Sequence, residues 1–129
     1  MSRIHQGIDI VDVEKFRAVL ARNPGLADEL FTEGERAYCL ARRDPSLHLA
    51  GRFAAKESYL KAMGTGFHGT GIDHIFQEIE IRTANSGRPE IVLHGWAAKM
   101  AGRRKIYHCT VSISHASRYA VASVLLTGE

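Results

Sequence analysis

Residues 44–64, DPSLHLAGRFAAKESYLKAMG, predict one long helix around which the rest of the chain can be arranged. Asp44 stands directly before Pro45, so a capping side chain precedes a proline at the first helical position. Gly64 is a residue type that commonly ends a helix. The helix is expected to turn these large apolar side chains toward the interior: Leu49, Phe53, Leu60 and Met63.

The residues before this helix predict one strand and two shorter helices. Residues 7–11 (GIDIV) place β-branched residues around an aspartate, as in a short strand. A helix beginning near Asp12 is expected to stop at residues 23–25 (NPG). Residues 32–35 (TEGE) have the spacing of a capping box, so a second helix is expected to run from there to about Arg42.

The residues after the long helix are read mostly as strands. The glycine-rich residues 64–71 are expected to form a loop. Strands are predicted at 78–82, 90–94, 106–114 and 119–126, with a turn at 84–88 and a short helix at 95–102. The last strand is nearly all apolar, which is typical of a strand covered on both faces. The order β–α–α–α and then β–β–α–β–β predicts an α+β fold with a mainly antiparallel sheet and one long central helix.

Length and composition limit the class of protein. The 129 residues fit a single domain, 1–129, and 45% hydrophobic with 24% charged residues is an ordinary globular composition. No apolar run reaches the ~18 residues of a membrane helix, and the N-terminus lacks a secretion signal, so we expect a cytoplasmic protein. Cys39 and Cys109 have no metal-ligand spacing and are expected to be reduced. The net charge of +3 favours an acidic or phosphorylated partner.

Acidic residues in two segments suggest a functional site. Asp9 stands between two isoleucines of the first strand, where a carboxylate is costly to bury without a cation, although an edge strand can also expose it to water. Glu57 and Lys61 lie four residues apart on the long helix and share one face. They form either a surface ion pair or, beside Phe53, part of a site.

Glycines and a Ser-His segment are weaker indications. Residues 64–66 (GTG) let the backbone approach a ligand and turn N–H groups toward an anion, or they form an ordinary helix end; they do not fit a P-loop. Residues 112–115 (SISH) end a strand with polar side chains, and His115 can equally be a turn histidine bonded to backbone.

In combination, these segments resemble one family. Residues 7–11, 53–61, 64–66, 87–89 (GRP) and 112–115 occur in the order seen in holo-acyl-carrier-protein synthases, which are small 4′-phosphopantetheinyl transferases. Residues 30–33 (LFTE) also resemble the start of the second helix of that family. The resemblance covers essentially the whole chain, and the aspartate strand combined with the Lys-Glu-x-x-x-Lys helix is its most specific part.

The resemblance implies transfer of 4′-phosphopantetheine from coenzyme A to a serine of apo-acyl carrier protein, for fatty-acid biosynthesis. The products are the holo-carrier and adenosine 3′,5′-bisphosphate. Asp9 and Glu57 would hold Mg²⁺, and Glu57 or a metal-bound water would take the serine proton. Lys61 would neutralise or protonate the departing phosphate.

The resemblance also implies binding residues and an assembly. The expected contacts of the nucleotide are Arg43, Lys61, Gly64, Thr65, Gly66, Arg88, Pro89, Ser112 and His115. Three basic residues of the first helix would meet the acidic helix of the carrier protein: Lys15, Arg17 and Arg22. Small members of the family are homotrimers with sites between neighbouring subunits, so we expect a homotrimer here.

Two other functions compete with this interpretation. A metal-dependent phosphohydrolase acting on a nucleotide or on coenzyme A would use Asp9 and Glu57 to activate water. A small basic nucleic-acid-binding domain is the non-enzymatic alternative, but the charge excess of +3 is small and no basic stripe is interleaved with aromatic residues. We therefore expect no nucleic-acid partner and no membrane partner.

Overall fold

The computed structural model describes residues 2–64 and 74–129. In chain order its elements are β1 (Arg3–Asp12), α1 (Val13–Arg22), α2 (Leu26–Leu30), α3 (Glu33–Leu40), α4 (Pro45–Met63), α5 (Ile75–Glu78), β2 (Ile79–Thr83), β3 (Pro89–Leu93), α6 (Gly95–Arg103), β4 (Ile106–His115) and β5 (Tyr119–Gly128).

A three-stranded antiparallel sheet and the helix α4 form the frame of the fold. The strand order is β1-β5-β4, and β2 and β3 form a separate antiparallel pair. The register places Asp9 of β1 and Ile113 of β4 on either side of Ala122 in β5. Helices and antiparallel strands are therefore combined as the α+β prediction requires.

Helix α4 lies across the three-stranded sheet, and its ends are those predicted. The Asp44 side chain accepts from the Leu47 N–H at 3.4 Å, Pro45 is the first helical residue, and Gly64 follows the helix with φ of 87°. Eleven of the 19 residues of α4 are buried, and the helix contributes buried apolar side chains to both apolar clusters of the fold. Leu49 and Met63 are buried as expected, whereas Phe53 and Leu60 are only half-buried.

A glycine lets α4 approach β1 closely. A Cβ atom at Gly7 would lie 1.9 Å from the Ser58 carbonyl oxygen and 2.8 Å from the Ala62 nitrogen, both of them backbone atoms of α4. The Ser58 hydroxyl also lies 2.9 Å from the Ala122 carbonyl oxygen, which ties the helix to β5. No side chain larger than hydrogen can therefore occupy position 7 at this helix-to-strand spacing.

An interior ion pair joins the segments that surround α4. Both side chains of the pair, Lys56 and Glu35, are fully buried, with Lys56 Nζ 2.7 Å from Glu35 Oε1. The ammonium also donates to the carbonyl oxygens of Leu30 at 2.8 Å and Phe76 at 2.6 Å. Burial lowers the pKa of Lys56, and the Glu35 carboxylate opposes that effect. Glu35 Oε2 accepts from the Ile81 N–H at 2.8 Å, so the network extends into β2.

A second acidic side chain, Glu80, joins β2 to the start of α3 and to α6. Its carboxylate accepts from the Thr32 hydroxyl at 2.9 Å and lies 2.9 Å from His94 Nε2 and 3.0 Å from an Arg82 nitrogen. Burial acts to raise the pKa of Glu80, but the contacts with His94, Thr32 and Arg82 together lower it. The carboxylate is therefore stabilised in its charged form.

The structure departs from the predicted elements at several points. Short helices α2 and α5 were not predicted, since five and four residues are too few to show a helical period. His115 is the last residue of β4 rather than part of the turn. The capping box at Thr32 and Glu35 is confirmed, but α3 ends at Leu40. Both cysteines are free, as expected.

One face of the three-stranded sheet is not covered within the chain. Alternate residues of β1 point away from α4, and Ile4, Ile8 and Ile10 are 73%, 60% and 63% exposed. Tyr119 and Leu125 of β5 are also exposed large apolar residues. The prediction that β5 is covered on both faces is therefore wrong for the single chain, where α4 covers one face only. Within the described residues, no helix has the length and apolarity needed to cross a membrane.

Candidate functional site

A cleft between β1, α1 and α4 holds the two acidic residues that stood out in the sequence. Its volume is about 370 Å³. We call it the carboxylate cleft, and its lining includes Asp9, Asp12, Lys15, Phe16, Phe53 and Glu57. Aromatic rings from α1 and α4 form its apolar part, because the Phe16 and Phe53 rings stack with centroids 5.0 Å apart.

Asp9 lies on the side of β1 that faces α4. The alternation of the strand places it on the same face as Gly7, so the close approach of α4 at Gly7 also brings the helix beside Asp9. Lys61 Nζ donates to Asp9 Oδ1 at 2.8 Å and to the Ile8 carbonyl oxygen at 3.0 Å. The Asp9 side chain is 18% exposed. Asp9 is therefore held by a cation, and the alternative of a solvated edge-strand aspartate is excluded.

Glu57 stands one helical turn before Lys61 and opens onto the same cleft as Asp9. It is half-buried. Lys15 of α1 also lines the cleft, so two carboxylates are accompanied by lysines from two elements. Helix α4 therefore supplies one carboxylate and one ammonium group, and β1 supplies the second carboxylate.

The donor set of the carboxylate cleft suits a hard divalent cation that also binds a ligand. Mg²⁺ is usually held by one or two carboxylates together with water and substrate phosphates, rather than by a complete cage of side chains. In residues 2–64 and 74–129 no three His, Cys, Asp or Glu side chains come together as a metal site. Asp9 and Glu57 thus fit a Mg²⁺ site whose remaining positions are left to water and substrate.

A second cleft lies on the other side of α4 and has a volume of about 150 Å³. We call it the arginine cleft. It is lined by Tyr38, His48, Gly51, Arg52, Thr83, Gly87, Pro89, Ile113 and His115. Residues of α3, α4, β4 and the β2–β3 pair therefore meet here. None of these individual residues also lines the carboxylate cleft.

Arg52 is the buried charge of the arginine cleft. It is 5% exposed, and one of its terminal nitrogens donates to the Thr83 hydroxyl at 2.6 Å. Its Nε is buried with no hydrogen-bond partner among the described residues. The guanidinium carbon of Arg52 lies 4.2 Å from the centre of the Tyr38 ring, and the guanidinium carbon of Arg42 lies 4.0 Å from the same centre. A buried cation with an unused donor is suited to an anionic ligand.

His115 faces His48 at the edge of the same cleft. The two ring centroids are 5.2 Å apart and the rings are nearly perpendicular, at 75°. His115 is exposed and His48 half-buried. His115, at the end of β4, thus lies beside His48 in the cleft that contains Arg52, rather than in the turn that follows the strand.

The other predicted nucleotide contacts are distributed unevenly. Pro89 lines the arginine cleft, while Arg88 lines a neighbouring groove between β3 and β4. Ser112 alternates with the inward-facing Val111 and Ile113 and so points to the opposite face of the sheet. Arg43 is exposed in the turn between α3 and α4. Gly64 ends α4, and Thr65 and Gly66 lie outside the described residues.

The three basic residues of α1 do not share one environment. Lys15 lines the carboxylate cleft. Arg17 is paired with Asp44 at 3.4 Å and with Glu14 at 3.5 Å. Arg22 is an exposed residue of the last turn. Lys15 and Arg22 therefore remain the basic residues of α1 that border an open surface.

Sequence reasoning missed Arg52, His48 and Tyr38. The signal for Arg52 was available, because it interrupts the apolar residues of a helix predicted to be packed, as Asp9 does in its strand. Asp9 lines the carboxylate cleft and Ile113 lines the arginine cleft. Both residues pair with Ala122, from the strands on either side of β5, so they lie about two strand spacings apart, roughly 10 Å. Of the predicted site residues, Asp9, Lys15 and Glu57 thus line the carboxylate cleft, while Pro89 and His115 line the arginine cleft on the opposite side of α4.

Comparisons with known proteins identify the family of the chain. A family profile described as the 4′-phosphopantetheinyl transferase superfamily matches residues 6–124. The chain is 40% identical over 123 residues to the holo-[acyl-carrier-protein] synthase of Moorella thermoacetica. That alignment covers 95% of this chain and 93% of the relative.

Solved structures show the same fold. An apo synthase from Chronobacterium ammoniagenes matches with a TM-score of 0.87 and 30% identity, over 100% of this chain and 99% of that one. The coenzyme A complex from the same organism matches at 0.86 and 31%, over 98% of each chain. The chain therefore belongs to the 4′-phosphopantetheinyl transferase superfamily and, within it, to the holo-[acyl-carrier-protein] synthases.

Proposed function

We propose that this chain, acting as a single domain of residues 1–129, transfers 4′-phosphopantetheine from coenzyme A to a serine of an apo-acyl carrier protein. The reaction requires Mg²⁺, releases adenosine 3′,5′-bisphosphate and serves fatty-acid biosynthesis. The observation that carries the proposal is the carboxylate cleft, in which Asp9 and Glu57 line one cavity and Lys61 is bonded to Asp9. Relatives with this activity match nearly the whole chain.

Asp9 and Glu57 hold the metal. When bound by these two carboxylates, Mg²⁺ would supply Lewis-acid charge for phosphoryl transfer. The chain itself provides rigidity, because one ligand is on a strand at the sheet edge and the other is on a helix locked to that strand at Gly7. Phosphoryl transfer depends on positioning and charge stabilisation more than on covalent catalysis, which suits such a rigid pair.

Lys61 orients and neutralises charge. Its ammonium holds Asp9 at 2.8 Å, and its side chain is 54% exposed, so it can also reach a ligand in the cleft. It is placed to offset the charge that develops on the departing phosphate. The proton of the incoming serine hydroxyl would be accepted either by Glu57, half-buried beside Lys61, or by a water on the metal that Glu57 helps to hold.

The arginine cleft binds phosphate groups of coenzyme A. This subsite is formed by Arg52, whose Nε has no partner among the described residues, by His115 and by the turn at Pro89. Two further basic residues, Arg43 and Arg88, contribute from its borders. A relative from Helicobacter pylori, which matches over 94% of this chain at a TM-score of 0.78, is described as a complex with coenzyme A. Charge-assisted hydrogen bonds of this kind supply both affinity and orientation.

The active assembly is a homotrimer with sites between subunits. The uncovered sheet face carries Ile4, Ile8, Ile10 and Leu125, all more than 40% exposed, and a contiguous apolar face of this kind marks an association surface. Asp9 and Glu57 would then lie on one subunit, while some of the residues that contact the nucleotide or the carrier come from its neighbour. The docking surface for the acidic carrier protein is on α1. It consists of three basic residues: Lys15, Arg17 and Arg22.

One assay tests the proposed reaction. The protein is incubated with coenzyme A, Mg²⁺ and apo-acyl carrier protein, and the carrier is weighed by mass spectrometry. We expect the gain of one phosphopantetheine group. Release of free phosphopantetheine or phosphate with no change in carrier mass would identify a hydrolase instead.

A matched pair of variants tests the metal assignment. Glu57→Gln is expected to reduce transfer on the order of 100-fold or more while the protein stays folded. Glu33→Gln makes the same charge change at an exposed position of α3 and is expected to retain normal rates. Wild-type rates for Glu57→Gln across a Mg²⁺ titration would contradict the assignment.

A further inference from the structure

His48 occupies a position in the arginine cleft that the reaction described above does not use. It stands four residues before Arg52 on α4, so both side chains project from one face of the helix. Its ring is nearly perpendicular to the ring of His115, with centroids 5.2 Å apart, and to that of Tyr38, with centroids 6.3 Å apart. These rings line the cleft that contains the Arg52 guanidinium.

The charges that face His48 are mostly positive. Arg52 is on α4 and Asp44 is its N-cap, Tyr38 is on α3 and Arg42 lies just after that helix, and His115 is on β4. From the β2–β3 side the cleft receives Thr83 and Pro89, which carry no charge. Burial lowers the pKa of His48 from 6.5, as do the nearby His115, Arg52 and Arg42, while Asp44 acts in the opposite direction. His48 is therefore neutral near pH 7 when the cleft holds no anion.

An anionic ligand reverses this balance. A phosphate group in the cleft would be dianionic near neutral pH, and a neighbouring negative charge favours the protonated form of an imidazole. The imidazolium would then offer N–H donors to the phosphate, alongside the unused Arg52 Nε. Binding and protonation are thereby linked, since each favours the other.

We infer that His48 is a phosphate-binding residue of the arginine cleft that takes up a proton when coenzyme A binds, an inference that rests on the proposed function. Affinity gained through His48 is present at low pH and is lost as pH rises through the pKa of His48 in the complex. His48 therefore makes the affinity for the phosphorylated substrate depend on pH without contacting the carboxylate cleft.

Calorimetric titration with coenzyme A, in the presence of Mg²⁺, tests this linkage. Wild-type protein, His48→Phe and His48→Gln are compared between pH 6.5 and 8.5 in pairs of buffers with different ionisation heats. We expect both variants to bind about tenfold more weakly at pH 6.5 and nearly as well as wild type at pH 8.5. The wild type should also take up more protons than either variant. The titration of the phosphate itself is common to all three proteins and cancels.

A matched histidine and the transfer assay separate the possible results. His108→Gln removes an exposed imidazole from the same strand as His115 and is expected to behave as wild type. Equal proton uptake in wild type and both His48 variants, or a loss of affinity that is the same at every pH, would overturn the inference and indicate a packing role. Absence of coenzyme A binding and of transfer by the wild type would instead overturn the proposed function, and with it this inference.

Discussion

Replacing Lys56 with methionine should be among the most destabilising single changes in the protein. Methionine keeps most of the length of the side chain but removes the ammonium group. Three hydrogen bonds are lost at once, to Leu30, Glu35 and Phe76 at 2.6–2.8 Å. The Glu35 carboxylate would then be left in the interior without its counter-charge.

The expected cost follows from the burial of both partners. Lys56 and Glu35 are each 0% exposed, and removing one member of such a pair typically costs about 3–5 kcal/mol. For a chain of this size that corresponds to a decrease in Tm of about 12–20 °C. Much of the cost is the uncompensated charge, so Lys56→Met combined with Glu35→Gln should cost less than the sum of the single changes, by about 2 kcal/mol.

Urea unfolding at one fixed protein concentration measures these free energies, since association would otherwise shift the apparent stability. Lys99→Met removes an exposed lysine from α6 and serves as the control, with an expected change of about 0.5 kcal/mol or less. A Lys56→Met variant within about 1 kcal/mol of wild type, or strict additivity in the double variant, would refute the reasoning.

Three further changes test other parts of the structure. Gly7→Ala places a methyl group 1.9 Å from the Ser58 carbonyl oxygen, so it should lower the free energy of unfolding, measured in urea, by about 3 kcal/mol. The fraction that still folds should transfer more slowly, and a variant as stable as wild type would contradict the close approach of α4 to β1. Lys15→Glu with Arg22→Glu should raise the apparent KM for the carrier about tenfold and that for coenzyme A far less. Equal effects on both would argue against docking at α1. Because the pKa of Glu80 is lowered from 4.5 on folding, its contribution to stability is present above that value and is lost as pH falls through its folded pKa. Glu80→Gln should therefore lose less unfolding free energy than wild type as pH falls below 4.5, and an unchanged pH profile would contradict this.

Local patterns predicted the larger elements because those patterns depend on residues close together in the sequence. The Asp44-Pro45 start, the Gly64 end and the capping box at Thr32 are all satisfied within one helical turn. Helix α2, in contrast, ends at Leu30, whose carbonyl oxygen accepts from Lys56, a residue 26 positions away. No pattern within α2 itself could reveal that contact.

The same distinction applies to the site. The strand pattern indicated that Asp9 was unusual, but which face of β1 is covered depends on where α4 packs, and that depends on Gly7. Arg52 and His48 could not be grouped with His115 from their sequence positions, because α4 and β4 meet only in the folded chain. The division of the predicted residues between two clefts likewise follows from the path of α4 over the sheet.

The burial of α4 also has an evolutionary consequence. Eleven of its 19 residues are buried, and among the others Phe53 and Glu57 line the carboxylate cleft. A helix of this kind has almost no side on which substitutions are neutral, so mutations there should be removed by selection far more often than on α1 or α6, which each bury two residues. Relatives should therefore remain alike along α4 long after their surface helices have diverged.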